Sequence, residues 1–151
     1  FEMNLIGFRR KPRGDEKIKT LPLAQLDQAI SQADHVINML PQTAGTDDFF
    51  DADRFATMKP SAIYYSIGRG STTNSTALVE ALNSKRLACA YLDVTHIEPL
   101  PKDDPLWDAP NCFITPHTAG GHDTEYARLV EHFIANLRRF ESGQSLSDRI
   151  I

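Results

Sequence analysis

The chain has 151 residues, 41% hydrophobic and 24% charged, the make-up of one ordinary soluble domain with a sizeable core and not of a disordered or fibrous segment. A formal net charge of −4 offers no general attraction to nucleic acid, and the one basic cluster, Arg9-Arg10-Lys11-Pro12-Arg13, is too short to make a binding face alone. No apolar run reaches the roughly 20 residues of a membrane span and the amino terminus lacks a signal-peptide pattern, so a cytoplasmic protein without nucleic-acid or membrane partners is expected.

Residues 3–8 form a short apolar run, read as a strand, that stops at the basic turn, and residues 21–33 place Leu23, Leu26 and Ile30 at helical spacing. Residues 35–40 read as a second strand closed by Pro41, and Asp51 is positioned to cap a short helix over 51–58. A third strand over 62–67 ends at Gly68. It leads into a helix over 72–85 with Ala77, Leu78, Ala81 and Leu82 as its apolar stripe and Asn74 or Ser75 as its cap.

Residues 87–94 and 112–115 are apolar enough to be strands covered on two faces, separated by a Pro-rich loop. The longest helix is expected over 123–140, with Tyr126, Leu129, Val130, Phe133, Ile134 and Leu137 on one stripe, Arg138 and Arg139 in its last turn, and Gly143 to end it. Strands alternating with helices predict an α/β fold with a doubly wound parallel sheet, whose ligands bind beyond the carboxyl ends of the strands. The composition changes after Gly143, so 1–143 reads as one domain portion and 144–151 as a tail.

Three segments carry the chemistry: Ser66-Ile67-Gly68-Arg69-Gly70, Ile97-Glu98-Pro99-Leu100 and Thr115-Pro116-His117-Thr118-Ala119-Gly120. They place an arginine, a carboxylate and a histidine after strand-like runs. An arginine can hold an anionic substrate, and a histidine oriented by a carboxylate can move a proton near neutral pH. Asp93 closes a buried-looking strand and is expected to accept hydrogen bonds, because an unpaired buried carboxylate is costly. Gly68 and Gly70 suit close backbone approach to a flat ring. Cys89 and Cys112 read as reduced, buried thiols. His35, His96, His122 and His132 show no metal-ligand spacing, and no metal is expected.

With Leu40-Pro41-Gln42-Thr43, Ile67-Gly68-Arg69-Gly70, Leu92-Asp93-Val94, Glu98-Pro99-Leu100, Pro105-Leu106-Trp107 and Thr115-Pro116-His117 in that order, the chain resembles the D-isomer-specific 2-hydroxyacid dehydrogenases. The resemblance is to the carboxyl-terminal part of their nucleotide-binding domain, entered at the second strand. It implies a Rossmann-like sheet, here incomplete because the first strand and its G-x-G-x-x-G turn are not in the sequence. The expectation is a piece of a longer protein that is poorly stable and inactive in isolation, its tail over 144–151 returning toward a substrate domain.

The resemblance also implies roles. Arg69 would bind the substrate carboxylate and keto oxygen, and His117 would donate the proton with Glu98 hydrogen-bonded to it. Leu40, Pro41, Thr43, Ile67, Gly68, Arg69, Asp93, His117 and Gly120 would line the cofactor. At the second strand's end, Arg9, Arg10 and Lys11 favour NADP over NAD, since arginines accommodate a 2′-phosphate that an acid would repel; NAD stays possible. The implied substrate is a small 2-keto or 2-hydroxy acid such as glyoxylate or hydroxypyruvate, and the implied assembly a homodimer. Two alternatives stay open: a corepressor-like module that binds NAD without catalysis, and an inactive truncated product.

Overall fold

The computed structural model describes residues 2–149. They form two compact units, one running to His117 and the other beginning at Thr118. The first holds β1 (Ile6–Arg9), β2 (Lys19–Pro22), α1 (Leu26–Ile30), β3 (His35–Asn38), α2 (Ala52–Thr57), β4 (Ile63–Ser66), α3 (Ser75–Asn83), β5 (Cys89–Leu92) and β6 (Cys112–Ile114), with 3-10 turns over Leu23–Gln25, Gly70–Thr72 and Pro105–Trp107. Every strand pair is parallel, in a four-stranded sheet β3-β4-β5-β6 and a two-stranded sheet β1-β2. This is the expected parallel α/β, Rossmann-like architecture.

The register explains which residues are inside. Val36, Tyr64, Ala90 and Cys112 lie side by side across the four strands, and Asn38, Ser66, Leu92 and Ile114 form the next row on the same face. That face packs with Leu26, Ile30, Phe55, Leu78 and Leu82 into one core. Between the rows, Ile37, Tyr65, Tyr91 and Phe113 point to the opposite face, as the period of two requires. Tyr65 stacks on Tyr91 and Tyr91 on Phe113, with centroids 5.4 and 4.9 Å apart. Ile37, Tyr91 and Phe113 are exposed, and the outer side chains of β4, β5 and β6 form a cross-strand aromatic ladder.

One correction concerns the first helix. Leu21 and Pro22 belong to β2, which pairs with β1 so that Phe8 lies beside Leu21, and the helical segment begins only after Pro22. Lys19-Thr20-Leu21-Pro22 is too short and too mixed to show a strand period, and only its partner reveals it. Among the described residues β1 pairs only with β2, and β3 only with β4. The doubly wound order places a central strand between the elements to which β1 and β3 correspond.

The caps form as expected. Asp51 accepts from the Arg54 amide at 3.0 Å and Asn74 from the Ala77 amide at 2.9 Å, each satisfying an orphan donor at a helix start. Cys89 and Cys112 are free and only partly buried.

In the second unit, α4 (Glu125–Glu141) ends in a left-handed Gly143, whose φ is +71°. Its amide donates to the Phe140 carbonyl at 3.1 Å and that of Gln144 to Arg139 at 2.8 Å, the paired bonds of a Schellman ending. The apolar stripe of α4, including Tyr126, Leu129, Phe133 and Leu137, is exposed. No helix among the described residues is long and apolar enough to cross a membrane.

Candidate active site

Because β3 to β6 are parallel and adjacent, the segments that follow them emerge at one edge of the sheet. After β3, Leu40 donates its amide to Asn38 Oδ1 at 3.0 Å. Pro41 and Thr43 continue into an exposed turn stitched by Thr46, whose hydroxyl accepts from the Thr43 amide at 2.8 Å and donates to the Pro41 carbonyl at 2.7 Å.

After β4, the Ile67 amide donates to Asn38 O at 3.0 Å and the chain reaches Gly68, Arg69 and Gly70. A Cβ on Gly68 would lie 2.6 Å from the Leu40 carbonyl oxygen, and one on Gly70 only 1.8 Å from that of Thr95. The close approach these glycines permit among the described residues is to the neighbouring strand-end backbones. Arg69 extends into solvent, one guanidinium nitrogen donating to the Gly68 carbonyl at 2.8 Å.

Beneath this turn lies a buried polar network that sequence reasoning missed. Asn38 Nδ2 donates to Tyr64 Oη at 2.9 Å and to Thr72 Oγ1 at 2.8 Å; Thr72 Oγ1 in turn donates to the Arg69 carbonyl at 2.6 Å. Tyr64 Oη and Thr73 Oγ1 are 2.6 Å apart. Burial pushes the Tyr64 phenol well above its ordinary range, partly offset by hydrogen bonds from Thr73 and Asn38. The Asn38 side chain thus links the end of β3 to the turn that carries Arg69. An asparagine inside an otherwise apolar strand was the available signal.

After β5, Asp93 is buried and accepts a hydrogen bond from Thr115 Oγ1 at 2.5 Å. The following loop brings Glu98 back so that Oε1 accepts from the Thr95 amide at 3.0 Å. After β6, His117 adopts a left-handed backbone with φ of 55°, uncommon for a residue with a side chain. Its ring nitrogen Nδ1 lies 2.8 Å from Glu98 Oε2.

The Glu98 carboxyl is held below the usual carboxylate range. The hydrogen bond from the His117 ring is the main cause; the Thr95 amide and the charges of His117 and Arg69 add to it, against some desolvation. Arg69, Glu98 and His117 therefore share one electrostatic neighbourhood. Gly120 lies in the second unit, with open space where its Cβ would be.

At the end of β1, Arg9 is paired with Glu16 at 3.3 Å, while Arg10 and Lys11 are exposed and form no ion pair among the described residues. Glu16 was not singled out by sequence reasoning. No group of three or more His, Cys, Asp or Glu that could hold a metal occurs among the described residues.

Comparison with known proteins gives a consistent picture. Residues 1–119 match the family described as D-isomer specific 2-hydroxyacid dehydrogenase, NAD binding domain. The chain is 38% identical over 134 residues to glyoxylate/hydroxypyruvate reductase B of Escherichia fergusonii, covering 86% of this chain and 41% of that protein. Among solved structures it is similar to the NADPH-dependent glyoxylate/hydroxypyruvate reductase of Sinorhizobium meliloti in complex with NADP and sulfate. There the TM-score is 0.86 at 32% identity, over 97% of this chain and 47% of that one. A D-isomer specific 2-hydroxyacid dehydrogenase of Xanthobacter autotrophicus in complex with NADPH and MES gives a TM-score of 0.86 at 31% identity, over 98% of this chain and 61% of that one. The chain spans about two fifths of the length of the curated relatives it matches.

Proposed function

The chain belongs to the D-isomer-specific 2-hydroxyacid dehydrogenases, a family of oxidoreductases, and from that premise we propose that it forms the catalytic edge of an enzyme that reduces a small 2-keto acid, such as glyoxylate or hydroxypyruvate, with NADPH. The observation that carries this reading is the 2.8 Å contact between His117 and Glu98 beyond parallel strand ends, with Arg69 acting on the same carboxylate.

An ionised carboxylate can only accept, so Glu98 requires the proton on Nδ1 of His117 and leaves Nε2 as the nitrogen that exchanges a proton with substrate. The nicotinamide supplies the hydride when bound. Arg69 then grips the substrate carboxylate and the keto oxygen with its planar fork and stabilises the negative charge that develops on that oxygen. His117 delivers its Nε2 proton to the same oxygen to complete the hydroxyl, and takes it back in the reverse direction. Glu98 holds the ring in place through the 2.8 Å contact with Nδ1.

The residues fit a dinucleotide. Strand-end segments carrying Leu40, Pro41, Thr43, Ile67 and Gly68 line the carboxyl edge where doubly wound sheets take such ligands. Asp93 is held beneath that edge by Thr115 and is assigned to the nicotinamide carboxamide. The cations Arg10 and Lys11 suit a 2′-phosphate, in agreement with the NADP held by the Sinorhizobium meliloti reductase. The same reading makes the complete enzyme a cytoplasmic homodimer.

The test is NADPH consumption by the complete enzyme with glyoxylate, hydroxypyruvate and bulkier 2-keto acids. Turnover with the small acids is expected. No turnover with any 2-keto acid would overturn the reading, and faster turnover with NADH would overturn its cofactor part.

A further inference from the structure

Glu16 sits inside the basic turn and organises it. Its Oε1 accepts from the Arg13 amide at 2.7 Å and from Arg9 at 3.3 Å, and its Oε2 accepts from the Gly14 amide at 2.8 Å. Gly14 has a φ of +89°, a left-handed conformation natural to glycine, and so turns its amide toward the carboxylate. The Glu16 side chain is only 16% exposed. The carboxyl is pulled down to about 2, first by the Arg13 amide, with the Gly14 amide and Arg9 adding to it, so it is ionised throughout the physiological range.

Arg9, Arg10, Lys11 and Arg13 crowd four positive charges into five residues. Left to themselves such charges repel and the turn splays. Glu16 closes it by bonding to two amides and one guanidinium at once.

We infer that Glu16 is the positioning residue of a 2′-phosphate subsite, setting preference for a phosphorylated dinucleotide by folding the turn that presents Arg10 and Lys11. The inference rests on the cofactor reading above. It also fixes a division of labour: Arg9 is spent on Glu16, and the ligand charge is met by Arg10 and Lys11.

The sign of the effect distinguishes this role from simple electrostatics. An acid beside an anion site repels the ligand, so by charge alone removing Glu16 tightens NADPH binding. By positioning, removing it weakens NADPH binding while NADH, which has no 2′-phosphate, is unaffected.

The experiment is a titration of NADPH and NADH against the complete enzyme, its Glu16→Ala and Glu16→Gln variants, and an Arg10→Ala/Lys11→Ala double variant. For Glu16→Ala the NADPH Kd is expected to rise about five- to tenfold, the scale of one lost charge-assisted hydrogen bond at a partly exposed site, with the NADH Kd unchanged. Glu16→Gln, which keeps one acceptor oxygen, is expected to fall between. NADPH binding that tightens or stays the same in Glu16→Ala overturns the inference, and so does an equal loss of both cofactors, which marks general loss of fold. If the unaltered enzyme does not prefer NADPH, or the double variant keeps the parent ratio, the cofactor reading itself fails and this inference with it.

Discussion

His117 Nδ1 and Glu98 Oε2 meet at 2.8 Å although nineteen positions separate them in the chain, one following β6 and the other lying in the loop after β5. Neither position is set by local preference. The loop is folded by the Thr95 amide bound to Glu98 Oε1, and the histidine is reached through a left-handed backbone that side chains other than glycine rarely adopt. Strain of this kind, held by surrounding structure, is a feature of functional sites.

The Glu98 carboxyl is lowered, chiefly by the His117 hydrogen bond, and this gives a pH prediction. A carboxyl whose folded pKa lies below its unfolded value contributes stability above the ordinary carboxylate range of about 4.3 and loses it as pH falls through the folded value. Thermal melts of the parent and of Glu98→Gln are therefore expected to differ at neutral pH and to converge as the solution is acidified below that range. A gap that widens toward acid would refute the assignment.

Gly70 is the tightest backbone contact at the site, its missing Cβ standing 1.8 Å from the Thr95 carbonyl oxygen and 2.1 Å from its carbon. Gly70→Ala must displace the Thr95–His96 backbone, and Thr95 is the residue whose amide holds Glu98. A loss of stability of about 1–3 kcal/mol is expected from overpacking, read by denaturant titration, together with a fall in turnover. Unchanged stability would mean that the two loops are not in contact.

Thr72 accepts from Asn38 and donates to the Arg69 carbonyl, so Thr72→Val cuts the link between the buried network and the turn that carries Arg69. The expected cost is about 1–3 kcal/mol for polar groups left unpaired. On the reading that Arg69 grips substrate, KM for the keto acid should rise while cofactor Kd stays near its parent value, and Thr72→Ser should recover both measurements.

Much of the fold was legible because the apolar runs of the parallel sheet and the stripe of α4 are long enough to show their periods. The caps at Asp51 and Asn74 were legible because a side-chain acceptor at a helix start is a local event. What escaped depends on pairing between distant residues. β2 has four residues and is defined by its partner β1, so nothing in its own pattern separates it from the helix that follows.

Asn38, Tyr64 and Thr72 are common residue types whose joint burial only the fold creates. The glycines around Arg69 signalled close approach correctly, but whether to a ligand or to Leu40 and Thr95 was not in the sequence. The basic turn displays its cations plainly and conceals the acid that organises them.

The central claim is that His117 donates the proton while Glu98 fixes its tautomer. The most direct test compares the complete enzyme with its His117→Ala variant, measuring kcat for reduction of glyoxylate by NADPH and, separately, the Kd of NADPH. The account predicts a fall in kcat of about 10²-fold or more, the usual scale for loss of a positioned acid, with cofactor affinity nearly unchanged. Equal losses in kcat and affinity, or a kcat that survives the substitution, would contradict it.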